Sequence, residues 1–104
     1  MVKMTIMAQR NKHLLLYLAE ASEKQFRSFI KISDRQQILA LREVVANLLK
    51  GNIPIDDKDR KALRRQRIFL RQLVEKGANP KDLSSKTKVL KKILSLAKPI
   101  IEKI

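Results

Sequence analysis

Apolar residues recur at steps of three and four along most of this chain, the period of one helix face, and nowhere do they alternate as a half-buried strand requires. Leu14, Leu15 and Leu18, with Tyr17 beside them, predict a helix from Gln9 to Glu20. Phe26, Phe29 and Ile30 predict a short second segment, either separate or one bent helix with the first. The spacing of Ile38, Leu41, Val45, Leu48 and Leu49 predicts a third. Ser33, with Gln36 three residues later, has the form of a capping box at its start. Gly51 stands at its end, where a left-handed cap is easiest without a Cβ.

Pro54 lacks an amide proton and holds Ile53 away from helical angles, so Asn52 to Ile55 reads as an extended connector. Asp56 or Asp57 then caps a basic helix over 57–76 that stops at Gly77. Asn79 before Pro80 marks a turn into a helical first turn. Ser84 or Ser85 opens a Lys-rich C-terminal helix, bounded at 85–104, that runs through Ala97 and is bent or restarted by Pro99. The expected fold is all-α, a compact bundle of four to five helices with no sheet. One domain over 8–104 follows an N-terminal extension at 1–7, in which Met4 and Met7 are alternative starts.

Composition narrows the chemistry. One Tyr, three Phe and no Trp leave an aliphatic core of Leu, Ile and Val. The absence of Cys removes disulfides, thiolate metal sites and a thiol nucleophile, and the single His13 cannot build a His-ligated metal site. Asp56, Asp57 and Asp59 lack the Gly and the closing Glu of a calcium loop and read as acids at a helix N-terminus. With no phosphate-cradling Gly loop and no catalytic motif, neither an enzyme nor a cofactor is expected.

No apolar run approaches the roughly 18 residues of a membrane span, and no signal peptide is legible, so the expected location is intracellular. The segment VLKKILSLAKPIIEKI also fits a helix lying in a membrane interface, but its shortness and the missing Trp disfavour membrane contact.

Charge changes the picture most. Lys and Arg number 24 against 10 acids, a net charge of +14. Residues 1–52 hold 9 basic and 4 acidic side chains, residues 53–104 hold 15 and 6, so the excess leans toward the C-terminal half. A field of this sign favours polyanions, nucleic acid before anionic membrane. The twelve residues from Arg60 to Arg71 carry six cations and no acid.

At about 100° per residue, Arg60, Arg64, Arg67 and Arg71 fall near 0°, 40°, 340° and 20°, a stripe about 60° wide. Leu63, Leu70, Leu73 and Val74 fall on another side and would dock the helix, with Lys61 and Arg65 flanking the stripe and Ile68 stranded amid charge. Like charges four apart disfavour an isolated helix, so an external anion is the natural complement. Arginine suits phosphate because its planar fork holds two oxygens and stays charged. Lys86, Lys88, Lys91 and Lys92 form a second basic cluster, fit for neutralising phosphate and poor at reading bases.

The expected partner is therefore nucleic acid, duplex DNA ahead of RNA, held by its phosphates largely without sequence preference. A helical interaction module meeting an acidic partner protein is the alternative, within a homo-oligomer or a viral or chromatin assembly. A helix-turn-helix regulator is third.

The order LLKGNIPI (48–55), RKALRRQRIFLRQL (60–73) and KTKVLKKIL (86–94) resembles that of small basic virion core proteins encoded by adenovirus-like elements, the adintoviruses and Maverick or Polinton elements. In that group a leucine-rich helix, a GN-hydrophobic-Pro connector, an Arg-rich helix and a Lys-rich segment follow one another. The resemblance covers about half the chain. Where the group often continues into a Gly-Gly-Phe and apolar tail, this chain has SLAKPIIEKI. The resemblance implies packaging of double-stranded DNA in a virion, with Arg60, Arg64, Arg65, Arg67 and Arg71 as phosphate contacts; for a viral protein the expected location is nucleus or virion.

Overall fold

The computed structural model describes residues 9–77 and 80–103, and the expected extension at 1–7 and the turn residues Ala78 and Asn79 lie outside them. The described residues from Lys12 onward form seven helices: α1 (Lys12–Glu20), α2 (Glu23–Ile32), α3 (Arg35–Leu49), α4 (Asp57–Arg64), α5 (Arg67–Lys76), α6 (Pro80–Ser84) and α7 (Thr87–Ile101). No strand occurs among the described residues. The chain is all-α as its periodicity requires, but with more helices than four to five. A capping box separates α1 from α2, and a polar position on an inward face accompanies the break between α4 and α5.

Between α1 and α2, Ala21 is extended and Ser22 caps α2 with its hydroxyl, accepting from the Gln25 amide while the Gln25 side chain accepts from the Ser22 amide. This box separates two helices that the pattern of apolar residues alone allows to run together. The next box is displaced by one residue from the expected Ser33. Asp34 accepts from the Gln37 amide at 2.9 Å and Gln37 returns the bond at 3.0 Å. Two overlapping motifs compete here, and the carboxylate adds charge complementary to the helix dipole. Ser33 instead donates to the Phe29 carbonyl at 2.8 Å and closes α2.

The end of α3 follows the expectation for Gly51. Gly51 adopts φ +80° and donates to Leu48, while Asn52 donates to the Asn47 carbonyl, the paired bonds of a Schellman motif. The Asn52 side chain adds a bond to the Asn47 side chain at 3.0 Å. The chain then leaves α3 in extended form, burying Ile53 and exposing Pro54, until Asp56 caps α4 by accepting from the Asp59 amide.

The core is aliphatic around Phe26. Helix α7 is its central strut: Leu90, Ile93, Leu94, Ala97 and Ile101 are buried, and the helix packs on α1, α2 and α3. It begins at Thr87, after the expected Ser84 or Ser85, and of the expected bend or restart at Pro99 there is no restart: the helix continues to Ile101, which is completely buried. At its far end the Lys12 amine donates to the Glu102 carbonyl, and Ser95 donates to Ala19. Lys98 pairs with Glu20 on the surface, and that hydrogen bond holds the Glu20 carboxyl below and the Lys98 amine above their ordinary values. The pair therefore contributes throughout the neutral range. Its contribution fades as pH falls through the lowered Glu20 value or rises through the raised Lys98 value. As an exposed pair it is weak.

Arg42 fixes the position of α5. Its Nε donates to the Leu73 carbonyl at 2.8 Å and its Nη2 to the Val74 carbonyl at 2.7 Å, so a half-buried guanidinium caps the helix C-terminus beside Gly77. The arrangement places positive charge at the negative end of the dipole. No candidate motif pointed to Arg42.

Two stability tests follow. Arg42→Met leaves both carbonyls short of a charged donor and costs about 2 kcal/mol in urea unfolding, with faster amide exchange in the last turn of α5. Gly51→Ala meets no neighbour within 4 Å, so its cost of about 1 kcal/mol arises from the positive φ alone.

Candidate nucleic-acid interface

The Arg-rich segment is not the single straight helix expected over 57–76. It breaks at Arg65 and Gln66, where the Gln66 amide reaches back only three residues to the Leu63 carbonyl at 2.9 Å. The inward face explains the break. Leu63, Leu70 and Leu73 are buried, but Asp59 and Gln66 share their side, near about 260° and 240° on the same wheel. Asp59 pairs with Lys92 of α7 at 3.0 Å, and the Gln66 side chain accepts from Lys86 at 3.1 Å. A polar group in mid-face is satisfied from outside, and the two half-helices settle separately on their leucines.

The four arginines nevertheless line one open cavity. Arg60 and Arg64 reach it from α4, and Arg67 and Arg71 from α5; its volume is about 570 Å³. The end of α3 and the connector supply Leu48, Leu49, Gly51, Ile53, Pro54 and Ile55, and Leu63 and Leu70 complete the lining. The four arginines are exposed, whereas Leu48, Ile53, Leu63 and Leu70 are buried, so charge rims an apolar floor. None of the four is ion-paired to a described residue. The expected stripe is thus replaced by a cationic rim around a concavity, with one like-charged pair four apart in each half-helix. Helix α5 also begins at Arg67 with no acid in its first turn and no side-chain cap at Gln66, so its positive end adds to the field.

The remaining candidates divide. Lys61 and Arg65 are exposed, and Arg65 sits in the turn between the half-helices. Lys88 is exposed and Lys91 half-buried on α7. Lys86 and Lys92 belong to the fold: besides holding Gln66, the Lys86 amine lies 5.7 Å from the centre of the Phe69 ring, and Lys92 is committed to Asp59. The second basic cluster is therefore partly a clamp between α7 and the α4–α5 segment. The sequence signal for that role is two polar residues, Asp59 and Gln66, on an otherwise apolar side, and it does not identify their partners.

Ile68 points away from the core at 81% exposure, and Ile32 is equally bare. His13 is exposed on α1. Asp56 and Asp59 serve as cap and ion-pair partner. Among the described residues no group of three acidic or histidine side chains could hold a metal ion, and no helix is long and apolar enough to cross a membrane.

No family model, curated protein or solved structure matches this chain.

The rim is electrostatically strained by its own composition. Replacing Arg60, Arg64, Arg67 and Arg71 together with Gln leaves urea stability equal to or a few tenths of a kcal/mol above the parent at low salt. The difference narrows as salt is added. A loss of several kcal/mol would show instead that the guanidinium groups hold the fold.

Proposed function

We propose that the protein is a non-enzymatic nucleic-acid-binding protein that grips duplex DNA by its phosphates, largely without regard to sequence. The observation that carries this reading is the convergence of four exposed arginines, unpaired among themselves and with any described acid, on one concave face of a chain with net charge +14. Guanidinium forks bind phosphate oxygens two at a time, and releasing the counterions condensed on the duplex supplies the driving force. Lys61 and Arg65 extend the positive field along the same segment, and Lys88 and Lys91 add charge on α7. Lys86 and Lys92 contribute charge at a distance while bracing the segment from behind.

The scarcity of aromatic side chains supports a duplex partner over single strands, which need exposed rings to stack on. With the resemblance of LLKGNIPI, RKALRRQRIFLRQL and KTKVLKKIL to virion core proteins, the reading extends to coating or condensing a genome in a virion or nucleus.

A titration across salt tests it. If each rim arginine neutralises one phosphate, those four contribute about −3.6 to the slope of log affinity against log salt. The quadruple Arg→Gln protein, folded as above, should lose that part of the slope for every duplex sequence alike. Affinity indifferent to salt, or a slope unchanged in the variant, would refute the proposal.

A further inference from the structure

The rim accounts for phosphate, but the floor does not. Leu48, Leu49, Ile53, Leu63 and Leu70 line the same cavity, and Leu49 remains 40% exposed there. A phosphodiester backbone has no apolar group to set against them. A nucleobase finds no aromatic ring to stack on, because the lining contains none. At about 570 Å³ the cavity falls in the range of roughly 300–1,000 Å³ typical of sites that enclose a ligand. Its shape and charge ask for an occupant that is both apolar and strongly acidic.

We infer that this cavity is a docking groove for an acidic, amphipathic segment of a partner protein, in which a large apolar side chain inserts on the floor while flanking carboxylates pair with the rim arginines. A groove with apolar anchors and charged edges is a common means of seating such segments. Charge complementarity selects the sign: four arginines and no acid line the groove.

A second copy of this chain is a poor occupant, since two of the three acids in its densest acidic stretch are engaged internally, Asp56 capping α4 and Asp59 bound to Lys92, which leaves Asp57 alone to meet four arginines. Because the same four arginines serve both partners, the acidic segment and duplex DNA exclude one another. That exclusion rests on the DNA reading above; the docking itself does not.

The test uses two short synthetic peptides of equal length and equal negative charge, one with Leu and Phe spaced among Glu and Asp, the other with Ser in place of those apolar residues. Fluorescence anisotropy with the full chain should show the apolar-acidic peptide binding at least about tenfold tighter, the effect of burying one large side chain. It should also keep measurable affinity in salt that abolishes the Ser peptide. Leu49→Ser, at a partly exposed position, should erase the difference while leaving the affinity of the Ser peptide unchanged, and unlabelled duplex should displace the peptide.

Equal affinity for the two peptides, or a difference that survives Leu49→Ser, would overturn the groove. Peptide binding without any DNA binding would preserve the groove and remove only the exclusion. Tight binding of a short alkyl carboxylate with neither peptide bound would assign the cavity to a small amphiphile and overturn the proposal.

Discussion

The geometry of the basic face depends on the burial of Leu63 on α4 and of Leu70 and Leu73 on α5, on either side of a polar Gln66. Those leucines decide which way each half-helix faces, and the arginines follow. At about 25 cal/mol per Å² of apolar surface removed from water, each buried leucine is worth roughly 1.5–3 kcal/mol. Like-charge repulsion between arginines four apart is only a few tenths. Burial wins by a wide margin, so the chain can hold four guanidinium groups together with no acid between them.

The break at Arg65 and Gln66 turns a stripe into a concavity. On one straight helix the arginines would form a ridge, suited to lying along a surface. With α4 and α5 joined by a turn and set against the end of α3, the same residues surround a space floored by leucine and isoleucine. Two devices keep that space in place: the Schellman turn at Gly51, which delivers Ile53 to the floor, and Arg42, which ties the C-terminus of α5 to α3. Lys86 and Lys92 complete the frame from α7. The structure thus divides its cations by task. Arg42, Lys86 and Lys92 hold backbone or side-chain oxygens inside the protein, while Arg60, Arg64, Arg67 and Arg71 face outward.

Much of this was legible in the sequence. The all-α character, the inward leucines, the Gly51 cap, an aspartate cap at Asp56 or Asp57 and the extended GNIPI connector all follow from local rules that depend on nearest neighbours. What was not legible depended on choice or on distance. Ser33 and Asp34 both begin an acceptable capping box, and only the assembled chain shows that Asp34 takes the role. Gln66 reads as one polar residue in a long helical pattern until Lys86, twenty residues away, is seen to bind it. Arg42 carries no motif, and its value comes wholly from carbonyls 31 and 32 residues downstream. The cavity floor joins α3, the connector, α4 and α5, so a helical wheel drawn for one segment could show the rim but not the floor.

The central claim is that the four rim arginines are the surface on which a polyanion lies. Side-chain NMR reads those groups directly, through the Nε–Hε signals of each arginine during titration with a short DNA duplex. The account predicts progressive shifts of Arg60, Arg64, Arg67 and Arg71 together, with Arg42, already bound to the Leu73 carbonyl, nearly still. Shifts confined to Arg27 and Arg35, which do not line the cavity, with the four rim signals unmoved at saturation, would contradict it.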